Sequence, residues 1–582
     1  MNRLPVSVVA AALAVAPALA QDAPPPETDL AQAIEVVARR YEAPSATAVP
    51  KVTSLGERDI ERRQARSVAE LLTEVPGAQV LPDGGHGQTS RIFLRGAASN
   101  QTLVVIDGIP QNDATAGGIY DFNDLSTASV ERVDVLAGSY GVLYGSEAIG
   151  GVVSVTTRRG RGPARGFVQL EGGSFGTHRE TVGAGGGDDE FDFWLTASND
   201  ASHGERKQER YDAGEVALRT GFALTSTLRA DLTFRGVRSS VESPFDFPAF
   251  GSTVLPEDPN IDRTRDTASA GVTLTHQHRD WMTTRLSASY LRVDSEFTNG
   301  PDGPEFLDPD GTAGSGDEAT VTRDELDADN VARDWRLRLA TTVAAGRLLG
   351  GSPRTDGGVE IDVTVGGETL DQSSSSDTAS PDFAGPGYTT SSVDRSIDTH
   401  SVFALAEARF PDAGPVRGSV LTAGARHDDN DTFGGESSPF VGARFEVAPT
   451  DTTFRASWGE GFRAPKPAEL DDPYVGNQAL GPETSESLDG GVSQALLDGR
   501  LDVGATWFRL ETDDLIAYDP SATSPSRPFG QLVNFQRTRT TGCELSARAD
   551  VGAGFTVRAA YTRQNPRDED SGRPLPNRSR EF

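Results

Sequence analysis

Residues 130–160, "VERVDVLAGSYGVLYGSEAIGGVVSVTTRRG", carry six glycines between two runs of strand character. A glycine turn after a strand can aim backbone N–H groups at a phosphate, so nucleotide binding is the first chemistry to test. The spacing rejects it. Gly138, Gly141, Gly145, Gly150 and Gly151 fit neither G-x-G-x-x-G nor G-x-x-x-x-G-K-[ST]. No lysine is present to meet a phosphate, and Gly151 leads into the β-branched "VVSVTT" rather than a helix. Other reactive groups are sparse. The seven histidines form no H-E-x-x-H. His276 and His278 could share one strand face, as metal ligands do, but no third ligand accompanies them and they fall beside a short turn. The single cysteine, Cys543, reads as a small strand residue rather than a nucleophile and can form no intramolecular disulfide. A secreted or surface enzyme on a β scaffold therefore finds no catalytic constellation here, and the chain reads as a non-enzyme.

The elements that position these residues follow from the compartment. Residues 1–20 hold one positive side chain, Arg3, an apolar run centred on Val6 to Val15, and Ala18-Leu19-Ala20 before Gln21, the pattern of a cleavable secretory signal. No later stretch approaches the 18 or more consecutive apolar residues of a transmembrane helix. Export without such a helix leaves a soluble protein, a lipid-anchored one or an outer-membrane β-barrel, and a lipid anchor would need a cysteine at the cleavage site. The 36% apolar share is low for ordinary cores in 582 residues. It suits a barrel, which needs apolar residues on only one face of each strand. A net charge of -32 argues against nucleic acid, whose binders carry basic patches. The charge is read as solvated loops, with divalent-cation bridging to lipopolysaccharide or to a calcium-dependent ligand as the alternative.

Three regions are legible. Residues 21–50 form a tail rich in proline and alanine with one insert, "AIEVVARR" at 33–40, whose alternation could add as a strand to another sheet's edge. Residues 51–160 predict an α+β domain: a capping box at Ser67 and Glu70, a helix stopped by Pro76-Gly77, and strands at 90–96, 101–110, 130–136 and 152–157. Asp107-Gly108 makes a tight turn. From about 166 to 582 the rhythm changes to strands of about ten residues, separated alternately by short turns and long polar loops such as 294–330. Leu228, Ala230, Leu232 and Phe234 share one face, as do Leu286, Ala288 and Tyr290, and Val402, Ala404, Ala406, Ala408 and Phe410. Such alternation is the signature of a transmembrane antiparallel β-barrel. No repeat of the length of a propeller blade is present.

The motifs resemble those of TonB-dependent outer-membrane receptors over nearly the whole mature sequence. "TLVVIDGIP" and residues 130–160 are similar to that family's plug signatures, "AIEVVARR" lies where the family carries its TonB box, and "ASWGEGFRAPKPAEL" (456–470) and "GNQALGPETSESLDGG" (476–491) look like two of its recurring barrel segments. The short tail, "GFVQLEGGSFGT" and "LETDDLIAYD" most resemble the cobalamin-receptor branch. The resemblance implies a mainly β fold, a barrel with an N-terminal α+β plug inside it. It implies that the glycines serve close backbone crossings, and that a plug signature of Arg91, Arg95, Asp107, Gly108, Gly138, Gly141, Gly145, Gly150 and Gly151 packs the lumen.

In the family an arginine and a proline flank the first glycine, where this chain has Ala137 and Ser139. Arg91 and Arg95 remain to pair with the wall, so a reduced plug-to-wall ionic contact is expected. The implied activity is active import in the outer membrane of a Gram-negative bacterium. Ile34, Glu35, Val36, Val37 and Ala38 would pair with TonB, itself driven by its inner-membrane complex. The implied ligand is a corrinoid, with ferric siderophores as the alternative. The resemblance to cobalamin receptors, whose early extracellular loops carry calcium-binding carboxylates, makes Asp200, Asp212 and Glu215 the calcium candidates, although Arg206, Lys207 and Arg210 intervene. The loop 308–318 has Asp-x-Asp-Gly without the remaining EF-hand spacing. No other cofactor is expected. Roughly 17 strands are countable against the family's 22, and 565–582 reads as loop with Pro566, Pro574 and Pro576. The expectation is therefore a barrel truncated at its C-terminus, with two unpaired edges.

Overall fold

A computed structural model describes Val49 and residues 51–206, 208–245, 257–299, 326–348, 358–381, 388–524, 527, 530–552, 554–575 and 578–581. The signal, the TonB-box candidates Ile34 to Ala38 and the loop 308–318 lie outside the described residues.

The N-terminal unit is built on the most apolar strands of the chain. Its elements are β1 (Val52–Gly56), α1 (Glu57–Arg63), α2 (Val68–Leu72), β2 (Ala78–Pro82), β3 (Ser90–Leu94), β4 (Thr102–Ile106), β5 (Ile109–Pro110), β6 (Val130–Ala137), α3 (Gly141–Tyr144) and β7 (Gly151–Thr157). Five strands form a sheet in the order β1-β6-β7-β4-β5, in which only β4 and β7 run parallel, while β2 and β3 make a separate hairpin. All five residues of β4, "TLVVI", are buried because both faces of the sheet are covered. On one face Val104, Ile106, Val133 and Val155 pack under Ile60 of α1 and Leu71 and Leu72 of α2. On the other, Leu103, Val105 and Val152 meet Tyr140, Val142 and Leu143 beside the barrel residues Leu405 and Phe440. Ser67 Oγ accepts the Glu70 N–H at 3.3 Å and starts α2. Sequence patterning gave no signal for β1 or α1; of α1 only Ile60 is buried, too little to imprint a helical period.

The remainder is a ring of 17 strands around this unit. In order they are β8 (Gly162–Gly172), β9 (His178–Gly187), β10 (Phe191–Ser202), β11 (Tyr211–Ala223), β12 (Leu228–Phe245), β13 (Glu257–Arg279), β14 (Met282–Asn299), β15 (Leu326–Ala344) and, after a short helix α4 (Ala345–Leu348), β16 (Glu360–Pro381). Then come β17 (Tyr388–Arg409), β18 (Val416–Asn430), β19 (Gly434–Val447), β20 (Thr452–Arg463), α5 (Pro467–Asp471), β21 (Glu483–Leu496), β22 (Leu501–Asp519), β23 (Gln531–Gly552) and β24 (Phe555–Asp568). The apolar faces point outward. Leu232 and Phe234 are 40% and 44% exposed, whereas Arg235 beside them is 4% exposed and faces the lumen. This inversion of a soluble core is what a lipid-facing barrel requires.

Strand length departs from the sequence expectation of about ten residues. β8 to β11 have 10 to 13, but β13 has 23 and β16 and β17 have 22 each, so one side of the wall rises far above the other. β14 and β15 consequently claim both ends of the segment expected to be a 294–330 loop. β24 likewise runs to Asp568, through Pro566, where loop was expected. Proline is tolerated there because β24 has only one long ladder to support, with β23.

Sixteen successive antiparallel ladders link β8 to β24. Two free edges were expected; instead the ring closes with β24 as the neighbour of β8. An odd number of strands sends β8 and β24 in the same direction, so this seam differs from every other junction. Among the described residues no long register joins the two, and β8 is exposed along almost its whole length. Beyond β24 the chain folds back over the plug: Arg578 Nε donates to the Gly96 carbonyl at 3.1 Å and its guanidinium lies 4.1 Å from the Phe93 ring.

Candidate plug, wall and extracellular site

The glycines of the 130–160 segment are placed where backbone meets backbone or wall. Gly138, Gly141 and Gly145 face the barrel: a Cβ on Gly141 would lie 2.5 Å from Ser438 Oγ and 3.1 Å from the Glu460 carbonyl. Gly150 and Gly151 lie where β7 crosses the end of β3. Gly151 has φ 152°, and a Cβ there would strike the Leu136 carbonyl, which belongs to the paired strand and cannot swing aside. Asp107 and Gly108 both have positive φ, 48° and 85°, and form the tight β4–β5 turn. The Asp107 carboxylate also accepts the Thr157 N–H at 2.9 Å, fastening that turn to β7.

Arg95 is the cationic centre of the plug. Its φ of 50° and its 2% exposure turn the guanidinium onto the wall. There it donates through Nε to Glu544 at 2.8 Å, through Nη1 to Asp489, and to the Ala137 carbonyl at 3.0 Å, with the Phe508 ring 4.6 Å away. Burial works against the charged form, but Asp489 and Glu544 outweigh it and hold the guanidinium above its ordinary value. Lys51 shares Glu544 at 3.1 Å, and burial of its ammonium lowers its pKa despite that partner. Arg91 does not reach the wall; it pairs with Asp83 across its own hairpin. Ser139 Oγ meets Ile149 O and Ser485 Oγ, both at 3.1 Å.

Beside the Arg95 contact, further plug-to-wall ion pairs have the opposite polarity. Wall arginines reach plug carboxylates: Arg265 to Asp113 at 2.8 Å, Arg263 to Asp121 at 3.0 Å, and Arg219 to Asp107 at 3.6 Å. Arg235 donates to the Asp124 carbonyl. No sequence period marks these partners, since lumen-facing polar residues of a barrel are spaced like any solvent-facing ones.

The calcium candidates are not brought together. Asp200 and Glu215 face the lumen, each already paired: Asp200 with Arg179 and His86, Glu215 with Ser129 and Arg235. Asp212, one residue out of phase on β11, is exposed on the opposite face. The rings of His276 and His278 lie tilted against each other, centroids 4.0 Å apart, beside the β13–β14 turn. Among the described residues no three His, Cys, Asp or Glu are arranged to hold a metal ion. Cys543 is exposed on β23 opposite Trp507.

The plug joins β8 at the end carrying the short turns, such as the one between Arg279 and Met282, so the long connections mark the opposite, ligand-receiving mouth. Two clefts open between plug and wall toward it. One of about 250 Å³ lies between the 84–87 turn with α2 and strands β9 to β12. The other, about 40 Å³, is lined by Glu147, Asp334, Glu368, Gln372, Arg426 and Lys466. Sites for drug-sized ligands occupy about 300–1,000 Å³, so neither cleft alone has room for one.

A wide barrel filled by a separately folded, ion-paired plug defines a receptor class. Residues 210–581 match the family described as "TonB dependent receptor-like, beta-barrel" and residues 45–152 the "TonB-dependent Receptor Plug Domain". The chain belongs to the TonB-dependent receptor family. It is 25% identical over 563 residues to the vitamin B12 transporter BtuB of Photobacterium profundum, covering 94% of this chain and 80% of that protein. It is 26% identical over 583 residues to the BtuB of Vibrio vulnificus (strain YJ016), with the same coverage. Its fold is similar to the ferripyoverdine receptor of the outer membrane of Pseudomonas aeruginosa, with TM-score 0.74, 17% identity, and 94% and 74% of the two chains covered. It is also similar to the siderophore receptor PirA from Acinetobacter baumannii, with TM-score 0.67, 18% identity, and 90% and 81% covered. The family is one of outer-membrane β-barrel receptors and transporters.

Proposed function

We propose that this protein imports a large, scarce nutrient of the corrinoid type across the outer membrane, powered by TonB. The observation that carries the import reading is the plug. It fills the lumen and is held by buried ion pairs on several sides, so passage requires work delivered from outside the barrel. Residues Ile34 to Ala38 supply the contact, becoming extended and pairing through main-chain hydrogen bonds with a strand of TonB and hence with its inner-membrane complex. The corrinoid assignment is supported by vitamin B12 transporters among the relatives, matched over about four fifths of their length. A ferric siderophore is the second reading, favoured by the siderophore receptors among the structural neighbours.

Two measurements test this. Val36→Pro removes one main-chain donor and is expected to abolish energised uptake while ligand affinity is unchanged; uptake at the parent rate would overturn the TonB contact. Calorimetry with cyanocobalamin and a panel of ferric siderophores separates the ligands, and tight siderophore binding without corrinoid heat reverses the order. A calcium arm is expected to change little, because Asp200 and Glu215 already have arginine partners.

A further inference from the structure

The segment joining β20 to β21, residues 464–482, spans from the ligand-receiving mouth to the plug, and none of the import steps above accounts for it. Its base is fixed by Arg463, which is fully buried. That guanidinium grips Glu469 of α5 with both Nη atoms, at 2.8 and 2.9 Å, and Glu483 at 2.7 Å. The second Glu483 oxygen accepts Gln101 Nε2 of the plug at 2.7 Å. The residue that caps α5, Lys466, reaches the plug directly: its ammonium pairs with Glu147 and donates to Gln372 at 3.3 Å. Two main-chain bonds align the same surfaces, Glu147 N–H to the Phe462 carbonyl at 2.9 Å and Ala464 N–H to Ser146 Oγ at 3.0 Å. Glu147 sits at φ 76°, a conformation that a side chain other than glycine's adopts only when its surroundings hold it.

The upper side of the segment belongs to the mouth. Leu470 of α5 packs against Ile397 of β17 and Leu480, Asp471 pairs with Arg395 at 2.7 Å, and Asn477 donates to the Leu532 carbonyl at 2.8 Å. Below, Ala464 and Lys466 meet Ser146 and Glu147, while Glu483, directly after the segment, holds Gln101; Gln101 in turn accepts the Gly150 N–H at 2.8 Å, at the point where β4 and β7 begin their parallel pairing. One short segment thus ties the rim of the mouth to the central strands of the plug. Its two ties differ in kind. Arg463 holds through a two-pronged fork, whereas Lys466 makes a point contact on a flexible stem. Lys466 and Glu147 both line the 40 Å³ cleft, and lysine is the rarer cation in a chain with 51 arginines and three lysines.

We propose that residues 464–482 form a clamp that keeps the plug closed, and that Lys466 is its releasable contact. Movement of the mouth on ligand binding withdraws Lys466 from Glu147 and frees the 146–151 turn, while the Arg463 fork keeps the segment attached. The inference rests on the import reading but is tested without ligand or TonB. The full chain in planar bilayers is held at fixed voltage, and plug-opening current events are counted. Lys466→Gln and Glu147→Gln are each expected to raise the event frequency about tenfold or more, because each removes the opposite charge from a buried ion pair. The double variant should be no higher than either single one, and the charge exchange Lys466→Glu with Glu147→Lys should return the frequency toward that of the parent. Gln101→Ala, cutting the second tie, should also raise it, and heat-modifiable migration shows that each variant forms its barrel. Unchanged frequencies, additive effects or failure of the exchange would each overturn the clamp. Loss of the import reading would appear separately, as Val36→Pro uptake at the parent rate.

Discussion

Glu544 illustrates how much one wall residue can decide. It accepts from both Arg95 and Lys51 while only about 1% exposed, so two plug cations depend on one carboxylate. Replacing it with glutamine leaves Lys51 facing a neutral partner and Arg95 with Asp489 as its remaining carboxylate. Breaking a buried pair in this way costs about 3–5 kcal/mol. Glu544→Gln is therefore expected to lower the urea midpoint at which the plug becomes protease-accessible while the barrel stays heat-modifiable; an unchanged midpoint would show that Asp489 alone suffices for Arg95. Asp124 carries the opposite kind of stress. Burial pushes its carboxyl above the usual range and Asp121 adds to this, against Arg265 and Arg263. The folded state therefore retains a proton that the unfolded chain has released, and stability falls as pH rises from the ordinary aspartate range through the raised folded value. Asp124→Asn removes that loss. It should make the plug more resistant than the parent at neutral pH, with the difference vanishing near or below about pH 4, and a gap constant over that interval would refute the assignment.

At the scale of elements, the plug shows what kind of signal a sequence carries. β4 and β7 were legible as short β-branched runs bounded by turns, β6 as a valine-rich stretch between turn signals, and α2 because Ser67 and Glu70 mark its start. β1 and α1 were not, since their stability comes from docking beside β6 rather than from their own pattern. In the barrel the outward faces were legible as alternation, whereas strand ends were not: above the membrane both faces are wetted, and β14 and β15 continue into residues that read as the 294–330 polar loop. Of the site, the glycines and Arg95 were visible as motif, but Lys51, Lys466, Asp489, Glu483 and Glu544 were not, because a lumen-facing charge is recognised only by the plug atom it meets. Gly151 tests the packing argument. Its absent Cβ is required by the Leu136 carbonyl on β6, and overpacking of this kind costs about 1–3 kcal/mol. Gly151→Ala should destabilise the plug by at least that amount in the same protease assay. Gly172→Ala on β8, with open space around it, should not; equal effects would mean that composition rather than crossing geometry selects these glycines.

For the whole molecule, the outer surface and the ring must be consistent with one medium. Trp335, Leu337 and Leu339 on β15 are 59%, 47% and 51% exposed on one face, which in water would be a liability and in hydrocarbon is the stabilising surface. Every backbone group at that depth needs a partner in the next strand, and sixteen of the ring's junctions supply it by long antiparallel ladders. The β8–β24 junction, with its two strands running the same way, is where the ring has least to hold it, and loss of barrel structure on heating should begin there. Depth in the bilayer is tested by comparing two exposed leucines. Leu337 lies among lipid-facing residues well inside β15, whereas Leu497 is 71% exposed in the turn between β21 and β22. If the ring spans a membrane, Leu337→Arg should cost about 2–4 kcal/mol and reduce the heat-modifiable fraction after insertion into vesicles. Leu497→Arg should stay within about 0.5 kcal/mol of the parent. Equal costs at the two positions would place both in the same medium, and the outward apolar band would then need a protein partner rather than lipid to cover it.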